Sequence, residues 1–306
     1  MMVQNLKNTF VIAQKEFADN LWSPRFILMV IVFTLVVFSS SYNSVNSVIN
    51  VSNFSFLAGF LTVTQTIAIF LPLLGFALGF DSVVKEKKSA SLNIFLTHPV
   101  YRDNIITGKI SGAMITLLFV VFISVVSSVG TNIIISGMKV GWFELERTLI
   151  FAILTYLYMS IFLALGIFIS TSVNSEIKSL IYGICTWLVL CVIYSAIVVM
   201  IASAVTGQSP MYLNNNDEVL DLNEQLTKLS PVYHYAKPVQ DQPGLTTGGV
   251  SRGKIVKNTL KLFDNRYTLI QWLEEYWENI LVLTVTPLIL LIMSYISFLR
   301  QDINGE

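Results

Sequence analysis

Of 306 residues, 54% are apolar and only 12% charged, against roughly 25% charged in an ordinary soluble domain, which excludes water as the solvent for most of the surface. The formal net charge is zero, so the overall balance carries no signature of a nucleic-acid or acidic partner. No charge occurs in 26–80, 110–138, 148–175, 179–216 or 280–299, and each window approaches or exceeds the ~20 apolar residues a helix needs to cross a bilayer core.

In chain order, residues 1–25 precede the first window. Leu6, Phe10, Ala13, Phe17 and Leu21 recur at helical spacing with Lys7, Gln14, Lys15 and Asp19 on other faces, the pattern of a helix lying in the membrane interface. The same pattern suits a soluble amphipathic helix packed on a partner. Trp22 falls at headgroup level and Ser23-Pro24 turns the chain inward. No cleavable leader is expected: the N-terminus is polar and lacks a short apolar core with a small-residue cleavage site.

The first window is expected to hold two spans, because Ser39 to Ser55 is rich in Ser and Asn and leaves polar groups unsatisfied in lipid. The predicted spans are 26–40, 57–80, 108–136, 148–171, 178–205 and 279–299. Domain boundaries follow: 1–25, an interfacial helix; 26–205, five spans with a cytoplasmic loop at 81–107; 206–278, an extracytoplasmic region; 279–299, the last span; 300–306, a tail. The fold class is an all-α integral membrane protein with six transmembrane helices. With both termini cytoplasmic, inside segments carry most of the basic residues while the short outside loops hold only Lys139 and Arg147, as the positive-inside rule requires.

In the second and third spans Gly75 and Gly79, and Gly108 and Gly112, stand four apart, a spacing that lets helices approach closely. Pro72 and Pro287 fall inside spans, where a proline removes one backbone donor. Cys185 and Cys191 share one span and are too far apart along it to bridge, so they are expected to be small core residues. Asn50 and Asn53 begin weak glycosylation sequons on the outside.

The loop at 81–107 is charged and punctuated. Lys85, Glu86, Lys87 and Lys88 follow the second span, and Leu92, Phe95 and Leu96 occupy i, i+3 and i+4 of a short helix that Pro99 stops. Its apolar face suits lipid or a groove on a cytoplasmic protein; the pattern does not choose between them.

In the extracytoplasmic region, Asp217 can cap a helix bearing Leu220, Leu222, Leu226 and Leu229, which Ser230-Pro231 ends. A basic segment follows, and Trp272, Tyr276 and Trp277 precede the last span as an aromatic belt. The region is too small for a large core of its own; a lid on the membrane helices or on a second copy is expected. Gly248 to Lys254 satisfies G-x-x-x-x-G-K, but Ile255 replaces the magnesium-holding Ser or Thr and no apolar strand precedes it. His98 and His234 fall on opposite sides of the membrane and form no metal site. No ionisable residue interrupts the charge-free windows, which disfavours a secondary transporter built on buried acids.

Several of these stretches resemble one family. Lys15-Glu16-Phe17 with Pro24-Arg25, then Asp81 to Lys109 with Glu86, the apolar run Leu92 to Leu96, Pro99-Val100-Tyr101-Arg102 and Gly108-Lys109, are similar to the type-2 ABC exporter permeases, as is Leu229-Ser230-Pro231-Val232-Tyr233. The sequence departs from the family pattern at Ser89-Ala90, where many members have Gly-Thr, which leaves the start of the coupling helix open. The resemblance implies a permease subunit of an ATP-driven exporter, with no enzyme activity of its own. ATP and magnesium are expected in a separate cytoplasmic ABC ATPase dimer, and a second permease copy completes the transporter. Glu86, Leu92, Phe95, Leu96, His98 and Arg102 are then the ATPase-coupling residues. Some relatives serve metal-enzyme maturation with an extracytoplasmic protein partner, although no metal-ligand cluster here supports that role. The competing expectation is a nucleotide-independent scaffold that presents its outside loop to a partner. Substrate identity is not written in the sequence.

Overall fold

In a computed structural model of the chain, the described residues are 2–49, 60–85, 102–137, 139–207, 217–240, 262–263 and 268–300. Among them the chain forms α1 (Met2–Leu21), α2 (Pro24–Ile49), α3 (Phe60–Gly79), α4 (Arg102–Ser136), α5 (Trp142–Ser172), α6 (Glu176–Thr206), α7 (Asp217–Thr227), α8 (Pro231–Gln240) and α9 (Leu269–Leu299). α2, α4, α5, α6 and α9 are long and apolar enough to cross a membrane. The second predicted span, 57–80, corresponds to α3, which is 20 residues long over Phe60–Gly79 and whose described apolar stretch is Val63–Gly79.

The organising element is α5. Two-thirds of its apolar window (67%) is buried, against 17–39% for the other four long helices, so among those five it is the one surrounded by protein. α3, α4, α6 and α9 pack around it, and α2 closes the flank between α3 and α4. Phe151, Tyr158, Phe162 and Leu163 on α5 fill this centre with Ile67 and Leu71 of α3 and Leu283 of α9.

Helix α2 runs on to Ile49, well past its predicted end at residue 40. The serines that were expected to break it are satisfied by neighbouring helices instead: Ser41 donates to Ser128 of α4 at 3.1 Å, and Ser40 and Thr66 of α3 share a hydrogen bond of 2.7 Å. A helix interior bonds its own backbone, so only side-chain partners were missing, and these exist across the bundle.

Two corrections concern the region between α6 and α9. Ser230-Pro231 does not merely end a helix; it opens α8, with Pro231 at the first helical position and Ser230 Oγ accepting the Val232 N–H at 3.3 Å. α8 packs against α3, α5 and α9, where Tyr235 is fully buried and stacks on Tyr158 with ring centroids 4.5 Å apart at 13°. The Tyr235 hydroxyl shares a 3.1 Å hydrogen bond with Thr155, and Tyr158 donates to the Ala68 carbonyl of α3 at 2.7 Å.

Secondly, Trp272, Tyr276 and Trp277 lie inside α9, which starts at Leu269 rather than 279. Trp272 and Tyr276 are buried, and Trp272 Nε1 donates to the Pro238 carbonyl at 3.0 Å; only Trp277 remains exposed as an interface residue should. Of the cysteines, Cys191 is buried in a π-helical stretch of α6, Leu188–Ile193, whereas Cys185 is exposed; both are free. Exposure of Cys185 corrects its expected core position.

Candidate functional site

The loop predicted to carry the coupling helix leaves α3 and re-enters the bundle at α4. Glu86, Leu92, Phe95, Leu96 and His98 lie outside the described residues, as do the Gly248–Lys254 loop, Asn50 and Asn53. Arg102 is the first residue of α4. The structure describes the two feet on which that loop stands.

The first foot is the turn that follows α3. Gly75 and Gly79 face α5 so closely that a Cβ at Gly79 would lie 2.7 Å from the Leu163 carbonyl oxygen and 2.8 Å from the Ile167 nitrogen, while one at Gly75 would lie 3.0 Å from the Met159 oxygen. Gly166 supplies the matching small surface on α5. Small residues spaced by four thus let two backbones touch. Immediately beyond, Ser170 Oγ of α5 accepts both the Val83 and Val84 N–H groups at 3.1 Å each, and is fully buried. Ser179 of α6 donates to the Phe80 carbonyl at 2.6 Å, and Ser82 donates back to the Gly79 carbonyl at 2.9 Å. These bonds consume backbone groups that the end of a helix would otherwise leave orphaned. Residues 79–84 therefore cannot shift without α5 and α6.

The second foot is the start of α4, clamped by α1. Gly108 receives Ile12, whose Cβ lies 2.7 Å from where a glycine Cβ would stand, and Gly112 receives the Ala13 carbonyl and the stem of Glu16. Lys109 Nζ donates to Glu16 Oε2 at 3.0 Å, the two side chains being 7% and 15% exposed. Thr9 donates to Asn104 at 3.4 Å and Asn20 to Thr116 at 3.4 Å. The docked face of α1 is thus Thr9, Ile12, Ala13, Glu16 and Asn20. The face docked on α4 is thus not the apolar stripe: among the stripe's described side chains Phe10 is 68% exposed and Ala13 alone is fully buried. A polar face can pack here because α4 offers glycines and a lysine rather than a uniform apolar wall.

Charges gather between the feet. Burial pushes the Asp81 carboxyl above the ordinary carboxylate range; the charges of Lys85 and Arg25 pull it down, and that of Glu16 pushes it up. Glu16 and Lys109 are far apart in sequence, as are Val83 and Ser170. The sequence singles out Lys15-Glu16-Phe17 and Gly108-Lys109 without pairing them; Lys109 at the edge of a charge-free window and the opposite charge of Glu16 are the available signal. Ser170 and Ser179 carried none, since a serine in a span is ordinarily spent on its own helix.

A family model described as ABC-2 family transporter protein matches residues 10–303, which include both feet, the loop between them and the helices that hold them. The chain belongs to the ABC-2 transporter family. Two curated relatives are both called probable ABC transporter permease protein NosY. That of Pseudomonas aeruginosa is 26% identical over 103 residues, covering 34% of this chain and 38% of the relative. That of Stutzerimonas stutzeri is 22% identical over 196 residues, covering 61% and 67%. The chain thus spans well under half of the first relative's length and about two-thirds of the second's. As an ABC-2 family member with several helices of crossing length, it is a multi-pass membrane protein. Among the described residues no group of three or more His, Cys, Asp and Glu is arranged to hold a metal ion. His234 ties α8 to its neighbours instead, with Nδ1 2.9 Å from Asn279 Oδ1 and Nε2 2.7 Å from the Lys228 carbonyl.

Proposed function

We propose that the protein is the permease subunit of an ATP-driven exporter, that α3 also crosses the membrane and brings the crossings to six, and that the α1 end of the bundle faces the cytoplasm. Energy enters through residues 86–101: Leu92, Phe95 and Leu96 seat in a groove on a separate ABC ATPase, with Glu86, His98 and Arg102 at its rim, and ATP and magnesium are held by that ATPase. A second copy of the permease faces the first across the substrate path. The observation that carries this reading is the grip on the loop's first foot: Ser170 and Ser179 bind the turn after α3 to α5 and α6. A docking loop can act as a lever only if its base is stiff.

A force applied to 86–101 then moves α3 and α5 as one body, because their backbones meet at Gly79 with no side chain between them to yield. A full population swap between two arrangements needs differential binding of roughly 5.5 kcal/mol, within reach of ATP-driven closure acting on an apolar plug. The buried Glu16–Lys109 pair fixes α1 to the second foot, so that α4 receives the same displacement.

The test is co-purification of the full chain with its ATPase. Phe95→Asp with Leu96→Asp is expected to abolish ATPase recovery and transport while membrane insertion is retained. Undiminished recovery and transport would overturn the reading in favour of a scaffold that works through its outside region.

A further inference from the structure

A groove of about 520 Å³ runs along the outer flank of α2 and α3, lined among others by Val32, Leu35, Ser39 and Asn43 of α2 and by Thr66 and Phe70 of α3. It faces away from the bundle: Leu35 is 61% and Phe70 45% exposed. Its volume is that of a small-molecule site, and its chemistry changes along its length. Val32, Leu35 and Phe70 make one end apolar; Ser39, Asn43 and Thr66 make the other polar.

Depth gives this gradient a meaning. α2 continues to Ile49, but the roughly 30 Å of a hydrocarbon core takes up about 20 helical residues, which counted from Pro24 ends near Asn43. With Trp22 exposed at the α1 end as an interface anchor, Asn43 reaches the opposite interface. From Val32 to Asn43 the helix rises roughly 16 Å, about one leaflet. The groove is therefore one leaflet long, apolar toward the midplane and polar at the headgroup boundary. Thr66 is engaged by Ser40 at 2.7 Å, whereas no hydrogen bond to a described residue holds the side chains of Ser39 or Asn43. Both are exposed donors at the edge of an apolar slot, and Ser39, about 6 Å deeper than Asn43, lies where a polar group is costly without a partner.

We propose that this groove holds one membrane lipid from the leaflet opposite α1. The chains lie along Val32, Leu35 and Phe70, and the glycerol-backbone oxygens accept hydrogen bonds from Ser39 Oγ and Asn43 Nδ2. A helix of a second copy suits the slot less well. It presents its side chains evenly along its length and carries few free acceptors, because its carbonyls are spent internally; a lipid puts all its oxygens at one end.

The test is native mass spectrometry of the full-length protein, delipidated in detergent and then exposed to dioleoyl-phosphatidylcholine vesicles. One retained lipid per chain is expected, with retention at least tenfold lower in Ser39→Leu/Asn43→Leu and unchanged in Leu288→Ala, an exposed position on α9. These substitutions lie on the exposed surface, and monodisperse elution of the double variant shows that it is folded. If it aggregates, Leu35→Trp, which fills the slot and leaves the polar end intact, must reduce retention by the same factor. Equal retention in all variants means unspecific surrounding lipid and overturns the proposal. So does a lipid-free dimer that Leu35→Trp dissociates, because the slot then belongs to a second copy.

Discussion

Gly79→Ala probes the join between the proposed docking loop and the transmembrane core. The added methyl would stand 2.7 Å from the Leu163 carbonyl oxygen, 2.8 Å from the Ile167 nitrogen and 3.0 Å from the Gly166 carbonyl carbon, all backbone atoms that cannot rotate away. Ordinary contact begins near 3.4 Å, so α3 must retreat from α5 by the better part of an ångström. Overpacking of this kind costs about 1–3 kcal/mol. The retreat also pulls the turn at Val83 and Val84 off Ser170, where each lost hydrogen bond forfeits about 0.5–1.5 kcal/mol. The comparison is Gly130→Ala on α4, where nothing lies within 4 Å of the new methyl and the gain in helix propensity is roughly 0.5–1 kcal/mol. Thermal unfolding of the two variants in the same detergent should separate them, Gly79→Ala melting below the parent protein and Gly130→Ala at or above it. In membranes holding the ATPase, Gly79→Ala should leave ATPase binding intact but weaken the response of transport to ATP. Equal melting of the two variants would falsify the claim that α3 and α5 meet backbone to backbone.

Other outcomes follow from the same contacts. Lys109→Met strands Glu16 in a largely buried position and should cost up to about 3–5 kcal/mol; the charge exchange Glu16→Lys with Lys109→Glu should recover part of it, measured by unfolding and by protease access to α1. Tyr235→Phe removes only the bond to Thr155 and should cost about 0.5–1.5 kcal/mol, whereas Tyr235→Ala empties the stack on Tyr158 and should cost about 3–5 kcal/mol, read as loosening of α8 by hydrogen exchange. At the other end of the bundle, burial raises the Glu224 carboxyl, but Lys237 at 3.1 Å, the Tyr233 hydroxyl at 2.9 Å and Lys228 outweigh it and hold its pKa below the ordinary carboxylate value. A depressed acid contributes stability above its unfolded pKa and loses it as pH falls through the depressed folded value. Protection of the α7–α8 junction should therefore decline in that acidic range, and Glu224→Gln should flatten the profile.

The long helices were legible because lipid enforces one rule: charges are kept out for the length of a span. The same rule misplaced the end of α2, since it treats Ser40 and Ser41 as costs and cannot see that Thr66 and Ser128 stand opposite them. α8 escaped notice because Ser-Pro reads equally as a stop and as a helix start, and only the buried Tyr235 settles which. Trp272 and Tyr276 look like an interface belt by composition, yet their neighbours on α8 make them core. In the candidate site, the loop itself announced its amphipathic pattern in Leu92, Phe95 and Leu96. Its supports did not, because Glu16 with Lys109 and Ser170 with Val83 and Val84 are long-range pairs, invisible to local periodicity.

The central claim is that energy arrives at residues 86–101 from another protein. A photo-cross-linking amino acid placed at Leu92 of the full chain, in native membranes, tests it most directly, with the same group at the exposed Leu145 of α5 as the comparison. The account predicts a covalent adduct at Leu92, absent at Leu145, whose peptides carry the phosphate-loop and signature motifs of an ABC ATPase. Adducts at Leu92 with lipid alone, or with the same products as Leu145, would contradict it.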